Sequence, residues 1–402
     1  MFDRRTFLKT GAACAAFILA GTRAQFAYAA LPDDRRLAVV ILRGGLDGLA
    51  AVPAHGDADY ASLRGALALP KTGMGAPIDL DGFFGLHPSL HNLSEMWGHK
   101  ELAIFHNVST PYRDRSHFDA QNVLETGALA PHRLSDGWLN RALQPLGLDG
   151  GGGALAVASS PPLLLDGSAR VTTWIPSRMP AADEEFLSRV AQLYANDPVF
   201  SNALKQGLET RSIAAQATHD MLNGGAAAAG YGAITPLMDG AGKILAAEHG
   251  PRVAVFDITG WDTHFNQGAG DGQLARRLAA LDEGLAALKT ALGEAWTKTA
   301  VVAASEFGRT VAVNGTGGTD HGTASIAFVM GGAVAGGTIH AEWKGLKSSA
   351  LRDGRDLPAM TDSRAIFKAI LADHLGIAKK SLEDRVFPDS AAAAALKGII
   401  RV

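Results

Sequence analysis

The sequence predicts an α/β protein with a mostly parallel central sheet that is flanked by helices. Short apolar runs such as residues 37–42 and 253–258 alternate with longer segments of helical periodicity such as residues 272–292. This alternation is typical of a parallel sheet, because two parallel strands need a long crossover connection that is usually a helix. Polar residues then follow several of the apolar runs, where the ends of parallel strands meet.

The predicted strands share a run of aliphatic and β-branched residues. They are residues 37–42, 102–108, 154–158, 253–258, 299–304 and 325–330. The first run is apolar at every position, which indicates a strand that is buried on both faces of the sheet.

The predicted helices show apolar residues at three- and four-residue spacing. They are residues 88–97, 184–216 with a break near Asp197-Pro198, 235–249, 272–292 and 364–375. The fourth of them places Leu274, Leu278, Leu281 and Leu285 on one face, which we expect to point inward.

Residues 1–29 have the pattern of a twin-arginine signal peptide. Arg4-Arg5 precedes an apolar run at residues 10–21 and an Ala-x-Ala cleavage site at residues 27–29. This apolar run is too short to span a bilayer, which needs about 20 residues. We therefore expect use of the twin-arginine translocase, a periplasmic or secreted location, and a mature chain without a transmembrane segment. The expected mature protein is a single α/β domain of residues 30–402, with a helical cap or insertion at about residues 180–248.

Composition excludes several classes of function. The chain of 402 residues has a formal net charge of −3, so it lacks the surplus of basic residues that nucleic-acid binding needs. The one cysteine, Cys14, lies within the predicted signal and excludes a disulfide framework. The expected mature chain therefore has no cysteine, and its candidate metal ligands are the side chains of Asp, Glu and His.

Two polar segments allow more than one interpretation. Asp262 and His264 stand two residues apart, so in an extended segment both could bind one cation. Alternatively Asp262 orients His264, or both lie in a solvated loop. Ser116, beside His117, is either a helix cap or a nucleophile at a helix start.

Three further candidates follow predicted strands or lie in a glycine-rich loop. Asp47 either binds a metal or fixes its own glycine-rich turn. Glu306 and Arg309 either form a surface ion pair or belong to the site. Asp320 and His321 lie in a loop whose glycines allow the backbone to approach a ligand closely.

Seven segments together resemble the twin-arginine-exported "domain of unknown function 1501" family. They are Arg-Arg-Thr-Phe-Leu-Lys at 4–9, Leu-Arg-Gly-Gly-Leu-Asp-Gly-Leu at 42–49, Gly-Leu-His-Pro-Ser-Leu at 85–90, Arg-Ser-His-Phe-Asp-Ala-Gln at 115–121, Gly-Trp-Asp-Thr-His at 260–264, Ser-Glu-Phe-Gly-Arg-Thr at 305–310 and Gly-Thr-Asp-His-Gly at 318–322. That family is similar in fold to the alkaline phosphatase and sulfatase superfamily of metal-dependent hydrolases and mutases. The resemblance therefore implies an alkaline phosphatase-like fold.

The resemblance also implies roles for individual residues. Asp47 matches the first metal carboxylate of the superfamily, and Ser116 is closest to its nucleophile. Asp262 and His264 resemble the Asp and His of the other metal, and His321 resembles the late metal histidine.

The chain departs from the superfamily at the segment 305–308, where one histidine ligand is absent and Glu306 replaces Asp. Three alternatives follow: Asp320 or His117 compensates, only one metal binds, or Arg309 supplies the missing positive charge. The predicted catalytic residues are thus Ser116, His117 and Arg309. The predicted ligands of one or two Zn, Mn or Fe ions are Asp47, Asp262, His264, Glu306, Asp320 and His321.

Two functions are consistent with these residues. The first is an exported metal-dependent hydrolase of phosphate or sulfate esters, whose substrate is a small-molecule ester or a glycan. The second is a non-catalytic periplasmic protein on a degenerate hydrolase fold, which binds a ligand or a partner.

Overall fold

A computed structural model of the protein describes residues 34–176, 183–218 and 233–401. The predicted signal peptide, residues 1–29, lies outside the described residues. Parts of the predicted helical insertion, residues 180–182 and 219–232, lie outside them as well.

The strands of the described residues form one large sheet and one small hairpin. They are β1 (Arg36–Arg43), β2 (Ile78–Asp79), β3 (Gly85–Leu86), β4 (Leu102–Ser109), β5 (Ala154–Val157), β6 (Thr172–Thr173), β7 (Val253–Thr259), β8 (Thr299–Ala304), β9 (Ser325–Met330), β10 (Thr338–His340) and β11 (Thr361–Asp362). Strands β2 and β3 pair with each other, and the others make up the large sheet.

The large sheet has nine strands within the described ranges, in the order β10-β4-β9-β8-β1-β7-β5-β6, with β11 also on β4. Every pairing is parallel except those of β9, which runs antiparallel to β4 and to β8. The carboxyl ends of β1, β4, β7 and β8 therefore share one edge with the beginning of β9. This confirms the predicted α/β class with a mostly parallel sheet.

Helices cover both faces of the sheet. They are α1 (Gly48–Ala51), α2 (Tyr60–Arg64), α3 (His91–Gly98), α4 (His117–Thr126), α5 (Trp138–Leu143), α6 (Glu184–Tyr194), α7 (Pro198–Thr218), α8 (Ile234–Ala246), α9 (Gln273–Leu292), α10 (Ser363–Ala369) and α11 (Lys379–Ser381). A π-helical turn, Ile370–His374, continues α10.

Strand β1 separates two hydrophobic cores, because alternate side chains of a strand point to opposite faces. Val40 and Leu42 pack on one face with the inward leucines of α9, as predicted from the helical spacing. Val39 and Ile41 pack on the other face with Trp138 of α5. The expectation that this strand is buried on both faces is confirmed.

Every predicted strand is present, and the five short strands β2, β3, β6, β10 and β11 were not predicted. They contain two or three residues each, which is too few for a hydrophobic period to show. The helix break predicted near Asp197 is also present, between α6 and α7.

The described part of the predicted helical insertion consists of α6, α7 and α8. The last of these is not confined to the surface, since Met238, Ile244 and Leu245 join the core on the α9 side of the sheet. No helix among the described residues has both the length and the apolar character that crossing a bilayer requires.

A buried histidine connects the end of the α10 segment to the first strand. His374 is 1% exposed, and its Nε2 donates a hydrogen bond of 2.8 Å to the carbonyl oxygen of Arg36. Burial lowers the pKa of His374 from 6.5 to about 4. The folded protein therefore keeps this imidazole neutral at a pH where the unfolded chain protonates it.

This pKa shift predicts a loss of stability in acid. As the pH falls from 7 to about 4.5, the unfolded state gains a proton that the folded state does not, and the free energy of unfolding falls by about 2–3 kcal/mol from this group alone. In His374→Gln the amide nitrogen replaces Nε2, so denaturant titrations at the two pH values should show a correspondingly smaller drop. The exposed His249→Gln serves as the control, and an equal drop in His374→Gln and the unsubstituted protein would exclude this assignment.

Candidate metal centre

The predicted site residues meet at the edge of the sheet where β1, β4, β7 and β8 end and β9 begins. Residues 260–264 follow β7, residues 305–309 follow β8, and residues 318–322 precede β9. Residues 110–117 lead from β4 into α4. Because β9 is antiparallel, its preceding loop returns to the same edge as the loops that follow the parallel strands.

Three histidines surround one carboxylate oxygen at this edge. The Oδ1 atom of Asp262 lies 3.0 Å from Nε2 of His264 and 3.3 Å from Nε2 of His321. It also lies 3.5 Å from Nε2 of His117. The Nε2 atoms of His264 and His321 are 3.0 Å apart. His117, Asp262 and His321 each offer a ligand atom within 4.8 Å of the other two, and His264 adjoins Asp262 and His321.

The other nitrogen of each imidazole is held by an oxygen. The Nδ1 atoms pair with Glu306 Oε1 at 2.8 Å for His117, with the Arg115 carbonyl at 2.9 Å for His321, and with Asp320 Oδ1 at 3.4 Å for His264. Metal-binding histidines usually have such a partner, which fixes the tautomer and directs the remaining nitrogen to the ion. In each of the three imidazoles, Nε2 is therefore the nitrogen that faces the position of a metal ion.

The spacing of the donor atoms around Asp262 Oδ1 fits a divalent ion. Bonds of about 2.0–2.2 Å in a tetrahedron place neighbouring ligand atoms about 3.3–3.6 Å apart, close to the separations around Asp262. The Nε2 atom of His117 is also buried without a hydrogen-bond partner, which is costly unless another group fills the point that it faces. Three imidazoles and a carboxylate suit Zn, Mn or Fe.

Glu306 orients the site from beneath. It is fully buried, and its carboxylate accepts hydrogen bonds from Gly44 N at 2.9 Å, Gln121 at 3.0 Å and Ser305 at 2.9 Å, besides that of His117. Burial raises the pKa of Glu306, but these hydrogen bonds outweigh it and hold the pKa below its ordinary value. Burial lowers the pKa of His117, but Glu306 and then Asp262 outweigh it and raise the pKa.

Arg309 lies beneath Asp262 and is inaccessible to solvent. Its guanidinium donates to the carbonyls of Gly45 at 2.7 Å, Gly44 at 2.6 Å and Thr319 at 2.9 Å, and it contacts Oδ1 of Asp262. Burial raises the pKa of Asp262, but Arg309 outweighs it and lowers the pKa. The positive charge of Arg309 therefore acts on Asp262.

Asp47 lies in a separate buried network. Its Oδ2 accepts hydrogen bonds from Arg64 at 2.6 Å and from Gln267 at 2.8 Å, and its Oδ1 caps α1 at Ala50. The Oε1 atom of Gln267 in turn accepts hydrogen bonds from the hydroxyls of Thr263 and Thr319. Asp47 therefore supports the two loops that carry Asp262 and His321, and the structure does not place it among the groups around Asp262.

Ser116 occupies the N-cap position of α4, as one of the two interpretations requires, although its hydroxyl makes no capping hydrogen bond. The hydroxyl interacts instead with Tyr112, which donates to Asp119 at 3.1 Å. Ser116 directly precedes His117, and its role as nucleophile stays a prediction.

Three supporting residues were not singled out from the sequence: Arg64, Gln267 and Asn314. The last closes the glycine-rich loop, since its amide donates to the His264 carbonyl at 2.8 Å and to Asp320 at 3.0 Å. The Asn-Gly pair at residues 314–315 is a turn signal that could have indicated it.

A glycine allows two of the loops to touch. Gly44 has φ of +122°, and a Cβ there would lie 2.6 Å from the backbone nitrogen of Asp262. Only glycine fits at that position, which places one of the many glycines in the wall of the centre.

A family model described as "Protein of unknown function (DUF1501)" matches residues 34–385. This match includes every residue of the candidate centre. No curated protein matches the chain.

Solved structures with low sequence identity are similar to the chain. That of Ps i-CgsB in complex with k-i-k-neocarrahexaose has 10% identity and a TM-score of 0.40, and the match covers 90% of this chain and 77% of that one. The phosphonate monoester hydrolase of Agrobacterium radiobacter has 13% identity and a TM-score of 0.39, with 86% and 74% covered. The C-terminal periplasmic domain of EcEptC from Escherichia coli, in complex with Zn, has 13% identity and a TM-score of 0.31, with 74% and 72% covered.

The geometry predicts which substitutions remove metal binding. Asp262→Asn, His264→Ala and His321→Ala each delete or weaken a donor, so we expect at least about tenfold weaker zinc binding in calorimetric titrations of the chelator-treated protein. The exposed His99→Ala should bind as the unsubstituted protein does. Unchanged affinity in all three variants would rule out this centre.

Asp47→Asn provides the contrasting variant. It leaves the buried Arg64 without a charged partner, so we expect a loss of about 3 kcal/mol in the free energy of unfolding, with zinc binding retained. Loss of zinc at unchanged stability would instead identify Asp47 as a ligand, as the sequence resemblance implies.

Proposed function

The chain belongs to the DUF1501 family, and we propose that it is an exported hydrolase of phosphate or sulfate esters that depends on one divalent metal ion. The observation that carries the proposal is the convergence of three oriented imidazoles on Asp262. A divalent ion held there supplies Lewis acidity toward an ester oxygen. One ion, rather than two, accounts for the donors, since Glu306 binds His117 from the far side and Asp47 binds Arg64.

The side of the centre that faces solvent fits a site for a substrate. The side chains of Asp262 and His264 are 44% and 40% exposed, whereas Glu306 and Arg309 beneath them are inaccessible. The four donors carry a single negative charge, so they leave a divalent ion with a net positive charge that attracts an anionic ester. Ser116 is the proposed nucleophile, at the start of α4 beside His117.

Two exposed aromatic rings follow the ligand histidines in the sequence. Phe118 comes after His117 and is 86% exposed, and Phe265 comes after His264 and is 59% exposed. Each ring exposes an apolar surface one residue from a histidine of the centre, and such a surface suits the organic part of an ester, including the apolar face of a sugar.

One observation favours the second candidate, a non-catalytic binding protein. If His264 binds the ion together with His117, Asp262 and His321, the four protein donors complete a tetrahedral shell, as in structural zinc sites, whereas catalytic sites usually offer three and leave a position open. Under this alternative the ion stabilises the loops around Asp262, and the exposed rim binds a ligand without converting it.

Metal analysis combined with a substrate screen separates the two candidates. We expect one divalent ion per chain and hydrolysis of at least one of 4-nitrophenyl phosphate, bis(4-nitrophenyl) phosphate and 4-nitrophenyl sulfate. Chelation and His264→Ala should abolish turnover, and Ser116→Ala should lower kcat at least about 100-fold if the hydroxyl attacks. Stoichiometric metal without turnover supports the binding protein, and the absence of a bound divalent ion contradicts both.

Export is tested on the N-terminal residues. Replacement of Arg4 and Arg5 by lysine keeps the charge but removes the paired arginines, so we expect the full chain to remain in the cytoplasm of a host with twin-arginine transport. Cell fractionation of the unsubstituted protein and the variant measures this. Equal export of both would contradict twin-arginine transport.

A further inference from the structure

A second group of charged residues lies beside the metal centre, at the carboxyl end of β4. It consists of Arg113, Arg352 and Arg364, which we call the arginine cluster. Arg113 is four residues before His117, in the segment that leads from β4 into α4. The cluster takes no part in the arrangement of donors around Asp262.

Arg113 has no carboxylate among its hydrogen-bond partners in the described part of the chain. Its Nη1 donates to Ser109 Oγ at 3.1 Å, to the Tyr112 carbonyl at 2.8 Å, and to the Thr110 carbonyl. These contacts fix the half-buried guanidinium at the sheet edge, and none of its hydrogen bonds is to a carboxylate. A cation in such a place is costly unless an anion approaches it.

Arg364 brings a second guanidinium to the same place. Strand β11 pairs with β4 so that Asp362 is opposite Ser109, and Asp362 accepts from Nη2 of Arg364 at 2.6 Å. Arg364 is 4% exposed, and its Nη1 is buried without a hydrogen-bond partner. The hydroxyl of Thr110, also buried at this end of β4, lacks a partner as well.

Arg352 adds a third positive charge. Its Nε lies 3.6 Å from Asp353, whose carboxylate also binds Arg115 at 2.8 Å. Burial lowers the pKa of Arg113. The positive charges of Arg352 and Arg364 lower this pKa further, and the negative charge of Asp362 raises it. The three cations of the arginine cluster thus have two carboxylate partners, Asp362 for Arg364 and Asp353 for Arg352, and Asp353 is shared with Arg115.

We propose that the arginine cluster is an anion-binding site for an oxyanion group, a phosphate, sulfate or carboxylate, carried by the same substrate that reaches the metal centre. Planar guanidinium groups match the geometry of such oxyanions and bind them in pairs of hydrogen bonds. The four residues from Arg113 to His117 span at most about 14 Å, so one substrate with two anionic groups can reach both places. This assignment of the substrate rests on the proposed function, whereas the presence of the anion site does not.

Calorimetric titration of inorganic sulfate into the chelator-treated full chain, at constant ionic strength in sodium chloride, tests the site itself. We expect saturable binding of one sulfate, weakened at least about tenfold in Arg113→Gln and in Arg352→Gln. Arg113→Lys retains the charge but loses the fork of donors, so it should give an intermediate affinity if the fold is intact. The exposed Arg133→Gln is the control, and absence of saturable binding, or equal affinity in all variants, overturns the site.

Kinetics identify the source of the anion. With an ester that carries a second sulfate or carboxylate, Arg113→Gln should raise KM at least about tenfold with little change in kcat, while KM for 4-nitrophenyl phosphate should stay within about twofold. If sulfate binds but both KM values are unchanged, the site holds a free anion, and the assignment to the substrate is overturned. Because the calorimetry needs no turnover, failure of the hydrolase proposal would remain distinguishable from failure of the anion site.

Discussion

The buried guanidinium of Arg309 is the interaction on which the candidate centre depends. It binds the carbonyls of Gly44 and Gly45 after β1 and of Thr319 before β9, and it contacts Asp262 after β7. Three loops are thus connected through one side chain, with Asp262 as its charged partner. Loss of Arg309 would leave the three carbonyls without their hydrogen-bond donor and Asp262 without its charged partner. The position of Asp262 and the packing of the loops therefore depend on the same side chain.

The fold was predictable where the sequence carries a strong local pattern. Residues 299–304 and 325–330 form the predicted strands without an error at either end, because apolar residues fill each run between polar or glycine-rich flanks. The antiparallel direction of β9 was not predictable, because a strand buried on both faces has the same continuous apolar sequence whether it is parallel or antiparallel to its neighbours. The pairing of β11 with β4 depends on tertiary contacts alone.

The composition of the site was more predictable than the roles within it. Asp262, His264 and His321 converge as a cation site requires, and their position after or before strands was the useful signal. The position of His117 next to them depends on how α4 packs against the edge, which no local pattern encodes. Asp47 illustrates the limit, because its pairing with a distant Arg64 follows from the folded chain only.

The position of β9 in the sheet has a consequence for the order of assembly. Strands β4 and β8 are joined only through β9 among the described residues, so the sheet consists of two separate halves until β9 enters between them. The loop that carries His321 directly precedes β9. His117 follows β4 in the chain and so belongs to the half of the sheet that contains β4. The sheet and the group of ligands are therefore completed together, and binding of an ion would indicate that both halves of the sheet have joined.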